Sequence, residues 1–515
     1  MSPSLLPRSC ALAVVGAAGL CAACGGDAPI TIVEVAARPA VADVTQLVVT
    51  LANDSSMQTE TFAVAGRSFP LTFSVETPGR TGELALEIAA RDGTGLTVGR
   101  GAAAIPIVDG QSDLAVMLEP DDFVVNTTYA GSQDLAFRLD GGGRQLSVAT
   151  DGRFTIGWSD TCVTVGRCDV FGRRFDATGQ PIDTAIAAGD GQFNLNQTDG
   201  DVGFEPSLAV DRIGNTVAAW STGTDLYAVV IDPTGAHVTA TETVVATLTS
   251  PGTPGVTALP DGRYVVAWIE NAPTAGQYLV KGRYLGANGQ PINNPVTATN
   301  LAFTISTAVL VTDQAPAVLA LGDAAALAVA WRRADTIVGR FFGAAGTPLG
   351  PEVTLASHPT ETLGPPQLAL LGRDVVLTYR RVTDGGDADD GQLILRRYTP
   401  AGAGIGAAVV VADDVESGPA ALAISGDDVG LAWAACAGDS DGDGCGIRFR
   451  AYDGNLTPRG DALPVNSTIA GDQEDPSLGW LPDRSVAVSF SDTSASAPDR
   501  DGSAVRARVI YPLAP

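Results

Sequence analysis

The strongest constraint in this 515-residue chain is a repeated hairpin. It reads most clearly over residues 206–220, as Pro-Ser-Leu-Ala-Val, a turn, then Thr-Val-Ala-Ala-Trp, an alternating apolar pattern that closes on an aromatic. The pattern returns over residues 256–268, 316–331, 366–379, 419–433 and 476–490, and a looser first copy ends at Trp158. The closing aromatics are Trp158, Trp220, Trp268, Trp331, Tyr379, Trp433 and Phe490. Their mean spacing is about 55 residues, a period that belongs to propellers and other repeat arrays.

Each repeat continues in the same way past its aromatic. A variable loop leads to a third strand, a Gly-centred turn and a short fourth strand. Residues 170–179 line up with 281–289, and 337–346, 393–402 and 447–455 follow suit. Four antiparallel strands per unit, repeated radially, predict a seven-bladed β-propeller over residues 121–515. The last repeat has a third strand at 504–510 and no fourth, while residues 122–128 precede the first repeat without a blade of their own. Residues 124–127 are therefore expected to complete blade seven, closing the ring by strand exchange between 122–128 and the C-terminal blade. Two stretches echo each other: Val125-Asn126-Thr127-Thr128 matches Val465-Asn466-Ser467-Thr468, and Ala130-Gly131-Ser132-Gln133 matches Ala470-Gly471-Asp472-Gln473. These segments resemble the Val-Asn-Thr…Gln…Pro-x-Val…Asp-Gly…Val-x-Trp arrays of secreted bacterial propeller-repeat proteins. The resemblance covers residues 121–515 and implies a fold but no defined activity.

One charge recurs with the period. Arg173, Arg283, Arg340, Arg396, Arg450 and Arg508 each stand two residues before the end of a third strand, on one face by strand alternation. Six functional arginines around a ring would be unusual. The reading is structural: a guanidinium stacked on a neighbouring blade's aromatic, or paired with a turn aspartate.

Residues 30–120 alternate over 30–35, 45–51, 61–64, 69–75, 83–90, 95–98 and 113–118, with turn signals at Asn53-Asp54-Ser55, Pro78-Gly79-Arg80, Arg91-Asp92-Gly93 and Asp109-Gly110. Seven short strands at this spacing predict an Ig-like β-sandwich. The Cys–Trp–Cys core of true immunoglobulin domains is absent, and the module reads as a spacer.

At the N-terminus Arg8 precedes an apolar run, residues 10–20, too short for a bilayer span but suited to a signal-peptide core. Leu20-Cys21-Ala22-Ala23-Cys24-Gly25-Gly26 resembles the lipobox of bacterial lipoproteins. The resemblance implies a signal peptide over residues 1–23, acylation at Cys24 and a lipidated linker over 24–29. Cys21 departs from the family, which has an aliphatic residue there. Gly25 rather than Asp after the cysteine implies the outer membrane of a Gram-negative bacterium, and more than one acyl chain makes such anchoring stable. The formal charge of −27, with Lys281 the single lysine, repels phosphate backbones and anionic headgroups. Nucleic acid is excluded as a partner, and membrane contact is expected through the anchor only. Four further cysteines, Cys162, Cys168, Cys436 and Cys445, read as two short-loop disulfides in an exported chain.

In a four-stranded blade the loops after strands two and four share one face. That rim collects residues 160–169, 271–277, 384–391, 435–446 and 491–503, with both cysteine pairs, and is the expected binding face. Asp439-Ser440-Asp441-Gly442-Asp443-Gly444 alternates carboxylates and puts Gly sixth, as Ca²⁺ loops do. Ile447 and Arg450 occupy the ninth and twelfth positions, so the expectation is a weak Ca²⁺ site at Asp439, Asp441 and Asp443, set against a plain solvated turn. Asp384, Asp387, Asp389 and Asp390 form a looser cluster. The only histidines are His237 and His358, and there is no Gly-x-Ser-x-Gly elbow or phosphate loop. No cofactor is expected and no catalytic residue stands out. The leading reading is a monomeric, non-enzymatic scaffold that binds a protein or polysaccharide through the loop face. The alternative is a carbohydrate-active hydrolase or lyase using carboxylates at the channel.

Overall fold

The structure is a computed structural model, all β, with no helix among the described residues. It describes residues 12–13, 29–53, 56–135, 144–160, 169–182, 191–197, 204–222, 224–248, 252–272, 277–307, 316–323, 326–383, 391–415, 418, 420–436 and 444–513. The chain divides into two compact units, Met1–Asp121 and Asp122–Pro515.

In the first unit seven strands overlap the seven alternating segments, Ile30–Ala37, Gln46–Asn53, Ser56–Ala63, Leu71–Glu76, Glu83–Arg91, Thr97–Pro106 and Gln111–Pro120, the third and sixth displaced from the expected 61–64 and 95–98. Alternation decides which side chains meet: Leu84, Leu86, Ile88 and Ala90 point inward from one strand, and Val33 and Val35 from another, into a single core. Ile30–Ala37 runs parallel to Gln111–Pro120 and antiparallel to Leu71–Glu76. Leu12 and Ala13, inside the segment read as a signal peptide, extend the sheet edge against Val75 and Ser74.

The second unit is a seven-bladed β-propeller. Blades two to four are four-stranded sheets paired in sequence order. Blades five and six are joined in one larger sheet by a single pairing, Val415 opposite Ala435, which the repeat pattern did not foreshadow. The seventh sheet runs Gln473–Trp480, Val486–Asp492, Ala504–Ile510, Phe123–Val124, with Val124 opposite Arg506 and Phe123 opposite Ala507. The innermost strands touch their neighbours in ring order, and Leu146–Val148 of blade one contacts both Phe204–Val210 and Gln473–Trp480. All seven closing aromatics are buried, with Trp158, Trp220, Trp268, Trp331 and Trp433 among the largest fully buried side chains. Phe/Trp→Ala in such a site costs roughly 3–5 kcal/mol, so these aromatics dominate the packing of each blade.

The sequence echo has a mechanical cause. Asn126 Oδ1 accepts the Val505 N–H at 2.9 Å and Asn466 Oδ1 accepts that of Ile447 at 2.8 Å. Asn196 does the same for Val170 at 3.0 Å, and Ser306 Oγ for Val280 at 3.0 Å. Each fixes the second residue past a fourth strand to the third strand beside it. The next residue is held by the following blade: Gln192 accepts from Thr127 N, Glu242 from Gln197 N, Glu352 from Thr307 N and Asp122 from Ser467 N.

The recurring arginines lock the same joints. Arg173 donates to the Val125 carbonyl at 2.8 Å, Arg340 to Ile305 at 2.6 Å and Arg508 to Val465 at 2.7 Å, and Arg283 donates to Val245. Each acceptor lies at the fourth strand of the preceding blade. Arg173, Arg340, Arg396 and Arg450 also lie over Phe175, Phe342, Tyr398 and Tyr452, with the guanidinium carbon 5.3 to 5.9 Å from the ring centre. The structural role expected from the sequence holds, but the partners differ. The aromatic is two residues along the arginine's own strand, because residues i and i+2 share a face, and the inter-blade acceptor is a backbone carbonyl.

Candidate functional site

The inner strands leave a channel along the ring axis. A cavity of about 350 Å³ lies in it, lined by the later residues of the inner strands, among them Leu208, Val256, Leu319, Leu370, Ile424 and Trp480. These are the ends from which the tight turns between strands one and two run. The described cavity therefore opens beside the tight turns rather than beside the long loops of the expected rim. Among the described residues, its lining carries Ser147, Thr257, Ser425 and one charge, Arg144, but no carboxylate.

Arg144 stands at the start of the inner strand of blade one. The N–H of Leu208 donates to its carbonyl at 2.6 Å, which ties that start to blade two. Its side chain donates to the Leu368 carbonyl across the channel and lines two small pockets as well as the large cavity. Burial pulls its pKa below the usual arginine value, yet a guanidinium stays charged at any ordinary pH.

Sequence reading passed over Arg144, although register shows a signal. Ser207, Gly255, Ala317, Gln367 and Ser477 each pair opposite the residue before a closing aromatic, and Gln145 takes that place in blade one. The preceding residue is Pro206, Pro254, Pro316, Pro366 or Pro476 in those five blades and Arg144 in blade one. A repeat that exchanges a proline for a cation at an axial position is departing from its own pattern.

Of the site residues expected from sequence, Cys436 and Cys445 form the disulfide. Cys24, Cys162, Cys168, Asp439, Asp441 and Asp443 lie outside the described residues, as do Asp384, Asp387, Asp389 and Asp390. Asp472 and Glu474 approach Cys445, but its sulfur is committed to the disulfide, and Asp472 Oδ1 accepts the Cys445 N–H at 3.1 Å. The two histidines sit on different blades. His358 bridges Glu361 at 2.8 Å and the Tyr379 hydroxyl at 3.1 Å. His237 contacts the Asn194 carbonyl at 3.2 Å, and burial lowers its pKa.

Asp122 and Glu205, near the ring joints, are engaged in structure. Asp122 is buried: burial alone would raise its pKa, but Arg506 and the Thr468 and Ser467 donors outweigh it and hold the carboxyl below its usual value. Arg506 bridges Asp122 at 2.7 Å and Asp492 at 2.5 Å. Glu205 is fully buried against Thr253. Asp160 is raised by burial and by the neighbouring Asp169 and Asp134, and Asp134 is raised by burial.

No protein-family model and no curated protein matches the chain. Among solved structures it is similar to a protein of unknown function from Dyadobacter fermentans DSM 18053 (12% identity, TM-score 0.42, covering 76% of this chain and 99% of that one). It is also similar to the NanB sialidase from Streptococcus pneumoniae (10% identity, TM-score 0.40, 94% and 95% covered). A third is the polysaccharide lyase Uly1 (7% identity, TM-score 0.42, 76% and 94% covered). Likenesses this distant carry no argument about activity.

Proposed function

We propose that the protein is an exported lipoprotein whose propeller is a non-enzymatic binding head for a protein or polysaccharide. In this reading Cys24 carries the acyl anchor in an outer membrane, and residues 30–120 form an Ig-like spacer. The pairing of Phe123–Val124 with Ala504–Ile510 acts as the clasp that closes the ring. One observation carries the binding reading. Arg506 and the third-strand Arg173 are spent on the joints of the ring, and the described channel lining offers aliphatic groups, hydroxyls and one guanidinium where a glycosidase would present a carboxylate pair. The loops after strands two and four remain the face for a large partner, since connections on a rigid scaffold are where binding residues collect.

A glycan and cell-surface binding screen with the mature chain tests this. Saturable binding without product release supports a scaffold. Release of reducing ends or unsaturated sugars from a polysaccharide panel would replace it with the enzyme reading. Fatty-acid labelling of the full chain should be lost in Cys24→Ser and kept in Cys21→Ser; labelling that survives Cys24→Ser removes the anchor.

A further inference from the structure

The cavity at the tight-turn mouth of the channel plays no part in rim binding and has a chemistry of its own. Its volume, about 350 Å³, lies at the lower end of the range of small-ligand sites, and its lining joins aliphatic side chains to a comparable share of polar surface. Arg144 brings five N–H donors to it, and among the described residues its side chain donates to the Leu368 carbonyl. Among the described residues no carboxylate pairs with it, in a chain whose acids outnumber its cations by 58 to 31. Elsewhere in the propeller Arg506 holds two carboxylates, while Arg173, Arg340 and Arg508 reach backbone carbonyls from the third strands. A guanidinium in the channel with no acid among the described residues is stabilised when a ligand supplies the countercharge.

The shape of that countercharge follows. A carboxylate matches the planar fork of a guanidinium with two parallel hydrogen bonds. A phosphate dianion calls for more positive charge than one arginine provides. The walls around Leu208, Val256, Leu319 and Trp480 gain from burying an apolar body. We propose that the propeller channel is a binding site for a small organic carboxylate with an apolar body, its carboxylate paired with Arg144. The proposal stands apart from the rim reading and survives if that reading fails.

Calorimetry on the full chain tests it, with phenylacetate and isovalerate as probes and phenylacetamide and inorganic phosphate as controls. Both carboxylates should bind, and the neutral amide should bind weaker by roughly tenfold or more, the worth of a charge-assisted hydrogen bond. Arg144→Met should abolish that preference, whereas Arg144→Lys, which keeps the charge but loses the fork, should retain part of it. Ala209→Phe, which fills the cavity from blade two without touching the charge, should weaken both carboxylates and provides a second route if Arg144→Met does not fold. Three results overturn the proposal: no heat from either carboxylate, equal affinity for acid and amide, or binding of phosphate alone.

Discussion

Asp122, Arg506 and Asp492 put three charges almost wholly out of water, with side chains 1 to 5% exposed. Removing one member of such a set leaves an uncompensated buried charge, which costs roughly 3–5 kcal/mol. Arg506→Met is therefore expected to lower stability by about that amount in urea unfolding at neutral pH, more than Asp122→Asn, which preserves shape and some hydrogen bonding. The pH dependence has a definite sign. The folded pKa of Asp122 lies below its unfolded value, so its contribution is complete above about pH 4 and is lost as pH falls through the depressed value. Asp134 and Asp160 are shifted upward, so they favour the folded state when protonated, and that help is lost as pH rises. Below about pH 4 the thermal midpoint of the wild type should therefore fall more steeply than that of Asp122→Asn; equal slopes contradict the assignment of Asp122. At this scale the sequence was informative where a residue repeats and silent where it does not. The six third-strand arginines were visible as structural because they recur, but their partners depend on how blades meet. Arg144 occurs once, and its meaning appears only when register sets it beside the prolines of five other blades.

At the scale of the strand and its joint, the hairpins were legible because their aromatics must all be buried, and burial is what an alternating pattern encodes. The short fourth strands were expected from the repeat, but their bounds were not legible, since some of them span only two residues and too few side chains alternate to show a period. Their hold on the blade comes from side chains just outside them: the asparagine or serine that takes a third-strand N–H, and the arginine of the next blade that reaches the fourth-strand carbonyl. Asn466→Ala leaves the Ile447 N–H without its side-chain acceptor and should cost roughly 1–3 kcal/mol. Arg340→Met removes a charged donor from the Ile305 carbonyl and should cost roughly 1.5–3 kcal/mol. If these contacts act as one latch, the double variant Asn466→Ala with Arg508→Met, which strips both holds from the joint at Val465 and Asn466, will lose less than the sum of its parts, because either single change already opens the latch; strict additivity in a double-mutant cycle would show two independent contacts.

For the whole molecule, the repeat period gave the number of blades, and the missing fourth strand of the last repeat pointed to residues 122–128. The pairing of Val124 with Arg506 and of Phe123 with Ala507 brings the two ends of the propeller into one sheet. Asp122 reinforces it by accepting from Ser467, Thr468 and Arg506 at once. The position of a cavity could not be read from the chain, because it depends on which side chains of seven strands converge on an axis. Ring and channel stand together, for the channel exists only if blade seven meets blade one. The most direct measurement is a disulfide trap: Phe123→Cys with Ala507→Cys in the full chain, oxidised while folded, digested and read by mass spectrometry. The account predicts a linked peptide joining residues 123 and 507 that disappears on reduction. Free thiols at both positions in the folded, oxidised protein would contradict it.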